Sequence, residues 1–135
     1  MKKFVVMMIL AVVFVIVGSQ NNLVNANYDH DLNYDEVFTG SGQTTYLYRP
    51  SVDVDEYNPP HYTISATLVI VSGYNGTERE NRVTLKYNYD TKECFSRQDG
   101  RWIEIHPSDQ SNASRFNKNL ANALFRAAYG MNFYN

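Results

Sequence analysis

Between Tyr62 and Ile105 the chain alternates short β-type runs with dipeptides suited to reversing its direction, and this pattern constrains the fold more than any other feature. Tyr62 to Gly73 is rich in β-branched residues and leads into Asn75-Gly76, where both residues tolerate the positive φ of a tight hairpin turn. Arg82 to Tyr89 alternates cleanly: Val83, Leu85, Tyr87 and Tyr89 fall on one face, with Thr84, Lys86 and Asn88 on the other. A half-buried antiparallel strand requires that division. Asp90-Thr91 turns the chain into Glu93–Arg97, and Asp99-Gly100 turns it again into Trp102–Ile105. The pattern predicts a four-strand meander with one apolar face that another element must cover.

The C-terminal segment supplies the cover. Between Ser114 and Tyr129, residues Phe116, Leu120, Ala123, Leu124 and Ala127 recur at spacings of three and four, as on one face of a helix. Gly130 follows as a C-cap, and Met131, Phe133 and Tyr134 form an apolar tail expected to fold back on the domain. Upstream, Thr44–Arg49 is a short β-type run ended by Pro50, and Ser51–Glu56 alternates apolar and acidic residues like an edge strand. Tyr57-Asn58-Pro59-Pro60 should then stop any strand, because neither proline has a backbone N–H to donate. The expected fold is α+β: an antiparallel meander of four to six strands packed against one C-terminal helix.

Three regions follow along the chain. Lys2 and Lys3 precede the apolar run Phe4–Val17, and a polar stretch ends at Val24-Asn25-Ala26, the layout of a secretory signal peptide over residues 1–26. The apolar run is shorter than the ~20 residues of a membrane-spanning helix, so contact with a membrane is expected only through this segment, before cleavage. Residues 27–43 are polar and acidic with a Gly-Ser-Gly break, which suggests a flexible leader. Residues 44–135 then form a single domain. An exported product fits this reading, in the periplasm, at the cell surface or in the medium.

Composition narrows the function classes. Acidic side chains outnumber basic ones, 14 to 12, and no basic block occurs, so nucleic acid is not an expected partner. Cys94, the single cysteine, excludes an intrachain disulfide; its place in a predicted strand beside Phe95 argues for burial over an intermolecular bond. The chain carries 11 tyrosines, enough to build a core, a half-wet binding face, or both.

No catalytic or metal-binding spacing emerges. Asp29, Asp31, Asn33 and Asp35 begin like a calcium loop, but Tyr34 stands where its glycine belongs and Gly40 where its glutamate belongs. His30, His61 and His106 stand singly, and no Gly-x-Ser-x-Gly elbow is present. Glu93 and Glu104 are candidates for a carboxylate pair across the meander, although charged residues on a strand's wet face are the ordinary case. Neither an enzyme nor a cofactor is expected. The candidate contact loop is Tyr57, Asn58, Pro59, Pro60, His61 and Tyr62, where prolines reduce conformational entropy beside flat amphipathic rings. The alternative is a structural corner whose tyrosines pack under the sheet.

The order of elements, together with Tyr46-Leu47-Tyr48, Ser51-Val52-Asp53-Val54, Tyr87-Asn88-Tyr89-Asp90, Trp102 and Ala128-Tyr129-Gly130, resembles small exported bacterial proteins related to the surface-adhesin protein E family. The resemblance covers Thr44 to Tyr134 and implies a small exported αβ domain, which in the adhesin branch binds host matrix or plasma proteins. That branch carries an N-terminal lipid-anchored cysteine and paired cysteines, whereas this chain has Cys94 alone. The expected role is therefore a non-enzymatic binding module facing an extracellular or envelope protein. A periplasmic inhibitor, a small hydrolase and a structural envelope component are the alternatives.

Overall fold

A computed structural model describes residues 28–107 and 110–135. The expected signal peptide, residues 1–26, lies outside the described residues. Among the described residues six strands, β1 (Tyr34–Gly40), β2 (Gln43–Asn58), β3 (His61–Ser72), β4 (Glu78–Asn88), β5 (Glu93–Gln98) and β6 (Arg101–Glu104), precede the helix α1 (Asn112–Tyr129). The strands lie in sequence order in one sheet, and every neighbouring pair is antiparallel. This is the expected α+β meander. Asp99 and Gly100 hold φ of 50° and 77°, the conformation a two-residue hairpin needs.

One face of the sheet packs against α1. Leu47, Ile64, Leu85, Tyr87 and Cys94 project from β2 to β5 onto Leu120, Ala121, Leu124 and Phe125 of the helix, all buried in one cluster. Burial of Cys94 matches its alternation with the exposed Glu93. Tyr87 is completely enclosed, and its hydroxyl donates to the Ala121 carbonyl at 2.8 Å, which fixes the helix's height over the sheet. The helix starts where the Ser111 hydroxyl accepts from the Ser114 amide and ends at Gly130, whose φ of 77° sets the left-handed cap. Beyond it the tail folds back: both the Phe133 and Tyr134 amides donate to the Asn122 side-chain oxygen, at 2.9 and 2.7 Å. Phe133 and Tyr134 are buried, whereas Met131 remains exposed. Asn122 satisfies the amides of the two residues after Asn132, so the chain turns inward past the Met131 side chain.

Two expectations about the N-terminal half are corrected. The acidic stretch 27–43 is not a flexible leader, because it contributes β1 and the buried Tyr28 to the domain. Tyr34 faces Tyr48 across the sheet, and Tyr28 stacks on Tyr46 at 4.9 Å, building a tyrosine cluster with Val69 and Val71 on the face opposite the helix. A bulge between Glu36 and Phe38 then returns Val37 and Phe38 to the helix side, where Val37 enters the core and Phe38 meets Phe116 edge-on at 6.0 Å. Pro50 does not end a strand either. It lies just past Tyr48, the last β2 residue paired with β1, where no neighbouring strand asks for its missing amide. The register against β3 slips between Tyr48 and Asp53, and β2 continues to Asn58.

Candidate functional site

The candidate contact loop is the hairpin turn between β2 and β3. Asn58 pairs with His61 and Tyr57 with Tyr62, so Pro59 and Pro60 alone form the turn, joined by a cis peptide bond. Two prolines at a turn fix their own φ and spare the backbone two amides that a reversal would leave unpaired. The turn is anchored from the neighbouring strand, because the Pro60 carbonyl accepts from the Tyr89 amide at 2.8 Å.

The six predicted residues split between surface and core. Tyr57, Asn58, Pro59 and His61 are exposed, with Tyr57 at 67%. Tyr62 turns inward, edge-on to Phe125 at 5.4 Å, and Pro60 is half-buried. The loop thus divides: Tyr57 and His61 lie open to solvent, while Tyr62 packs inward as a structural corner would.

Tyr129, in the last turn of α1, completes the arrangement. Its ring lies 5.2 Å from Tyr62, 6.1 Å from Tyr57 and 5.0 Å from Phe125. Burial first, and then the neighbouring Tyr62 and Tyr57, raise its hydroxyl above the ordinary tyrosine range, so it stays neutral at physiological pH. Behind these rings Tyr89 stacks on Phe125 at 5.7 Å, and the Lys92 ammonium sits 3.3 Å above the Tyr89 ring. Each such aromatic pair is worth about 0.5–1.5 kcal/mol beyond its buried area. Tyr57 therefore stands on a rigid base with its ring open to solvent. The sequence pattern did not single out Tyr129; the signal for it is its place four residues after Phe125 on the same helix face.

Beside this aromatic end the outer face of the sheet is polar. The Arg82 guanidinium bonds Asp53 at 2.8 Å and the Ser51 carbonyl at 3.0 Å. The Ser65 hydroxyl donates to Asp55, and Thr63 donates to Glu56 at 3.1 Å. Farther along that face, Lys86 lies 4.5 Å over the Trp102 ring and Arg97 lies 5.2 Å from it, so these cations face an aromatic ring within the fold.

The remaining candidates are not brought together. Glu93 accepts from the Thr91 hydroxyl, while Glu104 stands opposite Phe95. His30, His61 and His106 are each exposed, and among the described residues no three His, Cys, Asp or Glu side chains are grouped to hold a metal. A cavity at the far end of the sheet, lined by Gln43, Ile70, Ser72, Thr77, Glu78 and Arg79, measures about 60 Å³. Small-molecule sites are usually about 300–1,000 Å³, so this one admits water and little else. Among the described residues no helix is long and apolar enough to cross a membrane. No protein-family model, curated protein or solved structure matches the chain.

Proposed function

We propose that this chain is an exported, non-enzymatic binding domain whose contact surface is the Tyr57–His61 end, with an extracellular or envelope protein as partner. The observation that carries the reading is Tyr57: a large aromatic ring, two-thirds exposed, held by Tyr62 and Tyr129 beside a two-proline turn. A ring already ordered in the free protein loses little entropy on binding, and tyrosine combines apolar area with a hydroxyl that tolerates water. The resemblance to the surface-adhesin protein E family, together with the signal-peptide pattern, motivates an extracytoplasmic setting, with adhesin-like display at the surface as the specific form.

The test is a photo-reactive amino acid at position 57 in producing cells, with one at Tyr74 as control. Tyr74 is 88% exposed on the β3–β4 turn and belongs to neither aromatic cluster. Discrete adducts from 57 and none from 74 are expected. Equal or absent adducts would remove the assignment. Protease added to intact cells separates the settings: digestion of the domain while a periplasmic marker survives places it at the surface.

A further inference from the structure

The sheet is not equally closed along its length. β1 pairs with β2 from Gly40↔Gln43 to Tyr34↔Tyr48, with one further bond from the Arg49 amide to the Asn33 carbonyl. From Asp53 to Asn58, β2 pairs with β3 on one side, with a register shift between Val54 and Glu56, and with no strand on the other among the described residues. Asp53 to Asn58 are all exposed. Alternate residues of an edge strand turn their amide and carbonyl outward, so this overhang offers a ladder to an incoming strand. The sheet's other edges are less suited. The Val37 carbonyl of β1 already accepts from Asn119 at 2.9 Å, and β6 spans only Arg101–Glu104.

We infer that the overhang of β2 binds an extended, basic peptide segment of the partner by adding it as a strand to the sheet. Charge selects the occupant. The overhang carries Asp53, Asp55 and Glu56, and among the described residues the cation paired with them, Arg82, is engaged by Asp53. A second copy of this chain pairing edge to edge would set these carboxylates against their like, which destabilises a strand pair. A segment with Lys or Arg at alternate positions matches them. Val54, 44% exposed, and Tyr57 offer apolar contact to the intervening side chains. The span Asp53–Asn58 is about 20 Å at ~3.3 Å per residue, enough for a short peptide strand.

This inference rests on Tyr57 marking the binding end, and its test is separable from that reading. The probe is a capped peptide of alternating Lys and Val, titrated into the isotope-labelled domain, with the same peptide N-methylated at alternate residues as control. The expected result is slowed amide exchange confined to residues 51–58 and binding about tenfold or more tighter than the methylated control, the loss expected when backbone bonds are removed. Charge reversal by Asp55→Lys and Glu56→Lys should shift preference to a Glu-Val peptide. Equal binding of the methylated peptide, protection elsewhere, an unchanged charge preference, or dimerisation through 51–58 would each overturn the inference. Position-57 adducts in cells with no peptide bound at the edge would remove the strand-addition mode and leave the proposed contact surface standing.

Discussion

Phe133 offers the sharpest test of how the C-terminal tail contributes to the domain. Its side chain is 1% exposed and lies 4.8 Å from the Tyr87 ring, 5.3 Å from Phe125 and 4.8 Å from Tyr134. Its backbone is held at both polar groups, the amide by Asn122 and the carbonyl by Lys92 at 3.0 Å. Phe133→Ala removes a buried ring and leaves a void between the helix and β4, a change that costs about 3–5 kcal/mol. Against a total stability of about 5–15 kcal/mol, that is a large share. At about 4–8 °C per kcal/mol for a domain of this size, Tm should fall by at least about 12 °C. Met131→Ala, two residues away on the exposed side, should stay within about 0.5 kcal/mol. The assay is urea unfolding followed by near-ultraviolet circular dichroism, with Asn122→Ala and the double variant completing a cycle. Because Asn122 and Phe133 hold the same tail, their effects should not add. A Phe133→Ala cost below about 1 kcal/mol, no larger than that of Met131→Ala, would refute the account of the tail.

Three further outcomes are expected. Burial first, and then Tyr48 and Asp31 nearby, push the Tyr34 hydroxyl up to about 12, against ~10 in the unfolded chain. The stability linked to that shift is complete below pH ~10 and lost as pH climbs toward 12; a Tyr34→Phe variant should lack that part of the alkaline loss and the matching step in phenolate absorbance, and an unchanged profile would contradict the assignment. Ser111→Ala, which removes the hydroxyl that accepts the Ser114 amide, should cost about 1 kcal/mol in denaturant unfolding, and no measurable loss would count against the cap. The Cys94 thiol, fully buried and shifted upward by that burial, should react with a maleimide only at the rate of unfolding or local opening; labelling at a free-thiol rate in the folded protein would place it outside the core.

The parts of the fold that were legible are those where local chemistry and tertiary packing agree. Asp99-Gly100 adopts the positive φ its residues favour, Gly130 caps the helix, and of the alternating residues in β4 Leu85 and Tyr87 are buried while Val83 packs against the same core. Failures occurred where position in the sheet overrode propensity. Tyr34 and Glu36 read as part of a polar leader because their face opposes the helix, where tyrosines and carboxylates suffice. Pro50 read as a strand end, yet at an unpaired edge its missing amide costs nothing. Phe125, central to both the core and the aromatic end, lies on the helix's buried side beside Leu124 but outside the spacing first recognised. The candidate contact loop was chosen for its prolines, but which of its tyrosines faces water depended on the Tyr57↔Tyr62 register and on Tyr129.

The central claim is that Tyr57 is an anchor for a protein partner. With the partner recovered from the position-57 adduct, the direct measurement is its affinity for the purified domain and for Tyr57→Ala, with the fold of each checked by circular dichroism. Loss of an aromatic anchor is worth about 2 kcal/mol or more, so binding should weaken by about thirtyfold while the domain stays folded. An unchanged affinity in a folded Tyr57→Ala domain would contradict the claim.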